Sequence, residues 1–286
     1  MVYAIVTIYN PSMDSIKNLE EIKEQVDRLI VCDNSNEPCK SKICFEIEYY
    51  HKNKNLGLSQ AFNIPLKRND LRWNLDDYIV FFDQDSKIDA GYIKRLVSEY
   101  EKCSRDGINI GCLGPVFYNS SNDRIEKTHD GYEVTPGIFE AKRIITSSMI
   151  CKYDVLQKVG FWNEDIFLDL ADWDLCWRIR KAGYKCLMTE NIILYHSVGI
   201  SEKKIGLLRL RVGNPIREYY QIRDSLYLAQ KKYTPFRYKI RFMLMILVRS
   251  PIHVFFYDER RQRFHFIMRG IYDFIVGKHG EYKDTW

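Results

Sequence analysis

Short apolar segments that end in polar residues constrain the fold of this chain more than any other feature. They recur along the first third of the sequence, at residues 2–8 (VYAIVTI), 29–32 (LIVC) and 78–82 (YIVFF). Apolar runs without polar alternation are typical of parallel strands that are covered on both faces. Between the first two runs, apolar residues recur at helical spacing. The pattern predicts an α/β fold in which helices connect the strands of one sheet.

Turn and helix signals predict the next elements. We expect a third strand at residues 46–50, followed by a helix after Gly57 that Pro65 shortens or kinks. A later helix follows the acidic segment 163–174 and ends at Gly183, a favourable residue for a helix C-terminus. With 286 residues, of which 46% are hydrophobic, the chain can bury one substantial core, and this excludes a disordered protein.

The chain changes character near residue 204. Residues 205–277 are rich in Arg, Lys, Tyr and Phe, and their pattern predicts two or three helices without strand alternation. Residues 201–286 carry 18 Lys and Arg against 8 Asp and Glu, whereas residues 1–200 carry 25 against 30. We therefore expect a slightly acidic main domain at 1–204 and a basic, aromatic-rich helical extension at 205–286.

The cysteines and the N-terminus indicate a compartment. Eight cysteines are scattered without any Cys-x-x-Cys pair, and several lie in apolar runs that suit buried thiols. We expect a reducing, cytoplasmic environment and no structural zinc. The first residues continue directly into an apolar strand pattern without a basic leader, so we expect no signal peptide.

Two carboxylates follow the third apolar run. In open α/β sheets, ligands bind at the carboxyl ends of the strands, and Asp83 and Asp85 follow residues 78–82 at such an end. Paired carboxylates repel each other, and a divalent cation that also binds two phosphate oxygens would relieve this repulsion. Capping of the next helix by Asp85 or Ser86 explains the same residues. Position alone leaves the two interpretations open.

An acidic segment supplies candidates for a general base. A base that removes a proton from a hydroxyl must be a carboxylate or an imidazole within hydrogen-bonding reach, and Asp169, Asp172 and Asp174 all qualify by spacing. Asp172 would lie at the start of a helix, where the helix dipole favours a negative charge. A solvated helix start with acidic caps is the alternative. His196 ends another apolar run; it is either a buried hydrogen-bonding residue or a partner of Asp85 in a metal site.

The order of these motifs resembles that of the family 2 inverting glycosyltransferases of the GT-A fold. Within this family the chain is most similar to bacterial rhamnosyltransferases that build surface polysaccharides. The matching segments follow one another over residues 1 to about 200: AIVTIYNP (4–11), LIVCDNS (29–35), NKNLGLSQAFN (53–63), FFDQDS (81–86), GFWNEDIFLDLADWDLCWRIRKAGYK (160–185) and ILYHSVG (193–199). The resemblance implies a Rossmann-like, mixed and mainly parallel sheet, with a nucleotide-sugar part at about 1–110 and an acceptor part at about 111–204.

The resemblance also assigns roles to individual residues. It assigns the donor nucleotide to Thr7, Tyr9, Asp33, Asn55, Gly57, Asn63, Asp83 and Arg178. For Arg178, a surface ion pair is an equally good explanation. It assigns Mn²⁺ or Mg²⁺ to Asp85, Asp83 and His196, with Asp85 as the preferred direct ligand. It assigns the catalytic base to Asp172 and the acceptor to Ser148, Asp169 and Trp173.

The implied reaction is one in-line displacement with inversion at the anomeric carbon. The resemblance favours dTDP-rhamnose as the donor, with UDP-galactofuranose, UDP-galactose and UDP-glucose as alternatives, and a lipid-linked saccharide as the acceptor. The chain departs from the family pattern at Pro65, which disturbs the pocket wall, and at Ser147-Ser148, where many relatives have glycine. A non-catalytic protein that binds nucleotide sugars or nucleic acid is the alternative of another class. Nucleic-acid binding would leave the acidic strand ends without a purpose.

The basic extension predicts contact with a membrane surface. Its most apolar segment, residues 242–256, is interrupted by Arg249 and Pro251 and is shorter than the roughly 20 residues that span a bilayer. Interleaved aromatic and basic residues are typical of helices that lie on an anionic membrane. The basic residues are Arg237, Lys239, Arg241, Arg260, Arg261, Arg263 and Arg269. We expect a peripheral protein at the inner face of the cell membrane; packing on the main domain or a homodimer interface is the alternative.

Overall fold

The apolar runs of the first third of the chain form neighbouring strands of one sheet. The computed structural model describes residues 1–119, 124–127, 131–196, 201–205 and 208–284. The first four strands are mutually parallel in the order β3-β2-β1-β4. Their bounds are Val2–Ile8 (β1), Arg28–Asp33 (β2), Glu48–His51 (β3) and Tyr78–Asp83 (β4). This confirms the strands expected from the sequence, including the third.

The second half of the sheet is mixed. β9 runs antiparallel between β4 and β5, and β10 is parallel to β5, so β5 and β10 point the same way as the first four strands. Short antiparallel strands complete the edge. The bounds are Ile110–Asn119 (β5), Arg124–Glu126 (β6), Glu133–Thr135 (β7), Ile138–Glu140 (β8), Met149–Lys152 (β9) and Lys185–His196 (β10). The expected mixed and mainly parallel sheet is confirmed.

Helices cover both faces of the sheet, because alternate strand residues are apolar on each side. Ile5 and Phe81 pack in a core beneath α2, α4 and α5, whereas Val6 and Phe82 pack in a second core beneath α1 and α3. The helices are Met13–Lys23 (α1), Gly57–Leu66 (α2), Tyr92–Arg105 (α3), Tyr153–Lys158 (α4) and Ala171–Lys181 (α5), with a 3₁₀ turn at Lys40–Lys42. As expected, α2 ends one residue after Pro65.

The extension is not entirely helical, and our prediction is wrong on this point. β11 (Ser201–Ile205) and β12 (Leu208–Val212) form an antiparallel hairpin before the helices begin. Residues 208–212 read LRLRV, an alternation with the period of a strand, which we had overlooked. The helices are Ile216–Gln230 (α6), Phe236–Leu244 (α7), Ser250–Phe256 (α8) and Arg260–Ile275 (α9). A π-helical segment, Met245–Arg249, joins α7 directly to α8.

The cysteines are free thiols, and all except Cys44 are buried, as the apolar runs predict. The fold brings three of them together: the Sγ atoms of Cys112, Cys176 and Cys186 lie within 4.8 Å of one another. Their spacing in the sequence gave no indication of this cluster. Across the described residues, no helix has both the length and the apolar character needed to cross a bilayer.

Candidate active site

A cavity of about 830 Å³ opens at the carboxyl ends of the parallel strands. This is the edge of an open α/β sheet at which ligands bind. Its lining comes from the ends of β1, β2 and β4, the start of α2, two loops and the start of α6. The sequence-predicted residues among the lining are Thr7, Tyr9, Asn55, Gly57, Asp83, Asp169, Asp172 and Trp173. Eight predicted residues from distant segments therefore lie around one cavity.

Asp83 faces this cavity from the last position of β4. Ser147 Oγ donates to Asp83 Oδ2 at 2.6 Å, and no described residue bonds the second oxygen. The following Gln84 accepts from Tyr9 N at 2.7 Å, which ties the strand-end turn to β1. One fixed and one open carboxylate oxygen at the mouth of a strand-end cavity fit a hard divalent cation.

The assignment of Asp85 and His196 to the metal stays a prediction. Asp85 is half-buried and is not among the described residues that line the cavity, so Asp83 is the strand-end carboxylate that faces it. His196 is the last residue of β10, but its side chain lies outside the described part of the structure.

Asn34, which we had not assigned a role, connects β2 to the start of α2. Its Nδ2 donates to Gly57 O at 2.9 Å, and its Oδ1 accepts from Leu56 N at 3.1 Å. Asn55 Oδ1 accepts from Gly57 N at 2.9 Å. These bonds hold the backbone at the start of α2 against the cavity, where it forms a wall. Asn34 immediately follows the LIVCD strand, so its place at a strand end was a usable signal.

Gly57 is required by both backbone conformation and space. Its φ is +71°, and a Cβ atom there would lie 2.3 Å from Phe167 O and 2.6 Å from the Phe167 ring. We expect Gly57→Ala to lower the melting temperature and to weaken donor binding, because the loop that carries Phe167 must move. Gly160→Ala is the matched control, since its φ is +81° but no atom lies within 4 Å of the added Cβ. Equal melting temperatures for the two variants would show that the Phe167 contact is unimportant.

Asp33 does not line the cavity, and its assignment to the donor nucleotide stays a prediction. It is 3% exposed, and its carboxylate accepts from Ser35 N and Cys39 N at 2.8 Å each and from the Tyr49 hydroxyl. Burial acts to raise its pKa, but the hydrogen bonds from Ser35, Tyr49 and Cys39 outweigh burial and hold the pKa of Asp33 below its ordinary value. The loop after β2 folds back onto this carboxylate, so Asp33 organises the loop.

Asn63 and Arg178 are also placed elsewhere. Buried Asn63 bridges α2 to the next layer, because it donates to Trp162 O and Glu164 at 2.8 Å each and accepts from Trp162 N at 3.0 Å. Arg178 pairs with Asp174 at 2.7 Å and donates to two backbone carbonyls at 2.6 Å. Neither residue lines the cavity. Arg178 forms an ion pair, but a largely buried one and not the surface pair that was the alternative.

Ser147, and not its neighbour Ser148, lines the cavity. Ser148 is fully buried, with φ +68°; its N donates to Phe81 O at 2.7 Å and its hydroxyl bonds the Tyr92 hydroxyl at 2.8 Å. Ser147 lines the cavity and bonds Asp83. Ser148 lies in a turn with a left-handed backbone conformation and its hydroxyl is bonded to Tyr92, so Ser147 supplies the hydroxyl in the cavity, and the assignment of Ser148 to the acceptor stays a prediction.

Asp172 lies on the first turn of α5, at the inner wall of the cavity. Its Oδ1 accepts from Trp173 N at 2.8 Å. Burial raises the pKa of Asp172 to about 8, and Cys176 and Asp169 add to the rise, while the Trp173 N–H and Arg143 oppose it. A carboxyl group whose pKa lies near neutral pH is suited to proton transfer in a cavity.

The extension holds the loop that leads into Asp172. Arg217 on α6 pairs with Asp169, with Nη2 to Oδ1 at 2.5 Å, and itself lines the cavity. Asp224 on the same helix accepts from Phe167 N at 2.9 Å, and the Phe167 ring stacks on Tyr220 at 4.4 Å. Arg217 is therefore the arginine that the structure places in the cavity, and α6 forms part of its wall. No local motif marked it, because its position depends on the packing of the extension.

A second groove of about 620 Å³ begins on the other side of Asp172. It shares four lining residues with the strand-end cavity: Asp169, Leu170, Asp172 and Trp173. The remaining lining comes from α6, α7, the π-helical segment and α8. Trp173 stands between the guanidinium groups of Arg143 and Arg241, at 3.9 and 5.5 Å from its ring centre. Asp172 thus forms part of the wall of both the strand-end cavity and this groove.

Comparison with known proteins supports the same interpretation of the sequence and the site. A family model described as "Glycosyl transferase family 2" matches residues 3–154. A protein of Shigella flexneri, the dTDP-rhamnosyl transferase RfbF, is 29% identical over 271 residues, which cover 88% of this chain and 87% of that protein.

Solved structures share the fold at low sequence identity. S. aureus TarS superposes with a TM-score of 0.56 at 13% identity, covering 96% of this chain and 48% of that chain. GalNAc-T7, solved with UDP, GalNAc and Mn²⁺, gives 0.54 at 10% identity, covering 88% and 57%. This chain therefore spans about half the length of those two proteins. Because the family match extends over more than half of the sequence and the GT-A fold is shared, the chain belongs to glycosyl transferase family 2.

Proposed function

We propose that this glycosyltransferase moves L-rhamnose from dTDP-rhamnose to a hydroxyl of a lipid-linked saccharide, with inversion at the anomeric carbon. The observation that carries the proposal is the convergence of Asp83 and Asp172 on one strand-end cavity. The dTDP-rhamnosyl transferase relative, which matches 88% of the chain, supports the choice of donor. The groove that continues from Asp172 towards the extension supports the part of the proposal that concerns the acceptor.

In this proposal the donor lies along the strand ends. Thr7 and Tyr9 lie beside the nucleotide, and Asn55 and Gly57 shape the wall against it, with Asn34 fixing that wall. Asp83 would hold a divalent cation, with Asp85 and His196 as further candidates, and the cation would supply positive charge beside the leaving diphosphate. Mn²⁺ and Mg²⁺ both suit a carboxylate ligand.

Asp172 acts on the acceptor. The acceptor hydroxyl lies beside Asp172, between the cavity and the groove, and Asp172 accepts its proton as the hydroxyl oxygen attacks the anomeric carbon. Asp169 and Trp173 contact the acceptor sugar from the same wall. Arg217 orients Asp169 through their ion pair.

Donor identity is tested by thermal shift. A ligand that binds only the folded protein stabilises it by about 2.7 kcal/mol at a hundred times its Kd. For a chain of this size that corresponds to roughly 5–10 °C in melting temperature. We expect dTDP-rhamnose with Mn²⁺ to give this shift, and UDP-galactofuranose, UDP-galactose and UDP-glucose to give smaller ones. A larger shift with a UDP-sugar would identify that sugar nucleotide as the donor instead of dTDP-rhamnose. No shift with any sugar nucleotide would contradict the proposed function.

We also propose that the extension rests on an anionic membrane. Helices α7 to α9 expose many large apolar side chains, among them Phe236, Ile240, Met243, Leu247, Phe255, Phe256, Phe264 and Ile275. Arg237, Arg241, Arg260 and Arg261 are exposed beside them. Arg263 and Arg269 are instead buried in ion pairs with Glu218 and Asp273, which corrects our expectation that they face the membrane.

Liposome flotation tests the membrane contact. At low salt we expect the protein to float with vesicles that contain an anionic lipid and not with neutral vesicles, because both the apolar face and the exposed arginines contribute. The double variant Phe255→Ser/Phe256→Ser should lose most of this binding, since it removes two exposed rings. Absence of wild-type flotation at low salt would exclude the peripheral membrane location.

A further inference from the structure

The groove next to Asp172 takes most of its lining from the extension. Apart from the four shared residues, its lining is mainly aliphatic and aromatic, with Phe242, Leu244, Met245, Val248 and Ile252 supplied by α7, the π-helical segment and α8. Its volume of about 620 Å³ lies within the range of small-molecule sites, roughly 300–1,000 Å³. The charged diphosphate and the sugar of the donor would gain little from such walls, whereas a hydrocarbon chain would bury apolar surface there.

The π-helical segment shapes this groove. Met245–Arg249 interrupts what would otherwise be one continuous helix from α7 to α8, and Met245, Val248 and Arg249 all line the groove. A π-helical turn is rare and widens the helix locally, and it is frequent at functional sites. The adjacent Leu247 is 65% exposed and does not line the groove, whereas Val248 does. Val248, which is 52% exposed, therefore lies at the rim where the groove meets the outer apolar face.

Two arginines give the groove a cationic side. Arg241 and Arg249 both line it. Arg249 contacts Gln221 and lies 3.9 Å from Glu218, which also pairs with His253 and Arg263. The Nε of Arg249 is buried without a hydrogen-bond partner among the described residues. A buried donor of this kind is costly unless an acceptor bonds it, and a phosphate oxygen would do so. The groove carboxylate Asp169 is already neutralised by Arg217.

We infer that this groove binds the phosphate-linked lipid end of the acceptor, with the chain between Phe242, Met245 and Val248 and the phosphate beside Arg241 and Arg249. The inference rests on the proposed function, because it takes Asp172 as the residue beside the reacting hydroxyl. Since the groove begins at Asp172, the sugar that reacts is the one attached to the phosphate or the next one along. The enzyme therefore acts early, on a short lipid-linked saccharide, and a reaction that joins a sugar to a lipid phosphate must precede it.

Octyl phosphate, kept below its micelle concentration, is a probe for this groove without membrane or donor. We expect the full chain to bind it at least about tenfold more tightly than inorganic phosphate in isothermal titration, because only octyl phosphate fills the apolar part. Val248→Asp should weaken binding at least about tenfold, and Arg241→Gln should weaken it severalfold. Leu247→Asp and Lys239→Gln are the matched controls, since these residues lie on the same helices without lining the groove, and they should bind like the wild type.

The possible outcomes distinguish a failure of the groove proposal from a failure of the proposed function. Equal weakening by Val248→Asp and Leu247→Asp would show adsorption on the outer apolar face and would overturn the inference, as would unchanged binding in Val248→Asp. The thermal shift with dTDP-rhamnose provides the second readout. If that shift persists in the Val248→Asp protein, the variant is folded and the donor site is intact. A protein that binds octyl phosphate but shows no shift with any sugar nucleotide would contradict the proposed function and leave the groove as a lipid-phosphate site.

Discussion

Asp172→Asn is expected to lower the rate of sugar transfer by roughly 10²–10⁴-fold, the contribution of a positioned general base. Asparagine keeps the shape of the side chain but cannot accept the proton of the acceptor hydroxyl. Binding of dTDP-rhamnose should be unchanged within a fewfold, since the donor lies on the other side of the cavity. Asp165→Asn is the control, because Asp165 lies on the same acidic segment and does not line the cavity. Turnover of Asp172→Asn within tenfold of the wild type would exclude this base.

The raised pKa of Asp172 leads to two further expectations, one for the activity of the wild type and one for the stability of the variant. Asp172 must be ionised to act, so kcat/KM of the wild type should rise about tenfold per pH unit below pH 8 and level off above it. The folded protein holds this proton more tightly than the unfolded chain. Stability from this group is therefore lost as pH rises from the ordinary carboxyl pKa towards about 8. Asparagine removes that loss, so the variant should melt no lower than the wild type at pH 8.

Removal of divalent cations is expected to lower transfer by at least about a hundredfold, because positive charge beside a leaving diphosphate contributes several kcal/mol. EDTA should stop the reaction, and Mn²⁺ or Mg²⁺ should restore it. Asp83→Asn should reproduce the loss and require more cation for any remaining activity. Asp89→Asn is the matched control, since Asp89 is exposed and pairs with Arg95 outside the cavity. Chelator-insensitive transfer by the wild type would remove the cation from the scheme.

The segments that meet at the site could be predicted from sequence, because apolar strands and their polar ends follow simple rules. Residues 2–8, 29–32 and 78–82 became adjacent strands, and their ends surround one cavity. The choice between neighbouring polar residues could not be predicted. Asn34 and Ser147 face the cavity instead of Asp33 and Ser148. The facing side depends on how each loop turns back, and hydrogen bonds formed after folding decide this.

Features that depend on the packing of the extension could not be predicted from local sequence patterns. Arg217 enters the cavity from α6, far along the chain from the strand ends. The sequence pattern predicted surface positions for Arg263 and Arg269, but both are buried. They form ion pairs with Glu218 on α6 and Asp273 on α9. The 205–277 segment therefore supplies part of the wall of the strand-end cavity.

The central claim is that the strand-end cavity binds a divalent cation and a nucleotide diphosphate together at Asp83. Crystals grown with dTDP and Mn²⁺ test it most directly, because manganese is located by its anomalous scattering. We expect an anomalous peak at roughly 2.0–2.3 Å from an Asp83 carboxylate oxygen, with the diphosphate on the other side of the ion and Asn55 and Gly57 beside the nucleotide. A nucleotide bound in another part of the molecule, or a manganese ion with no contact to Asp83, would contradict the account.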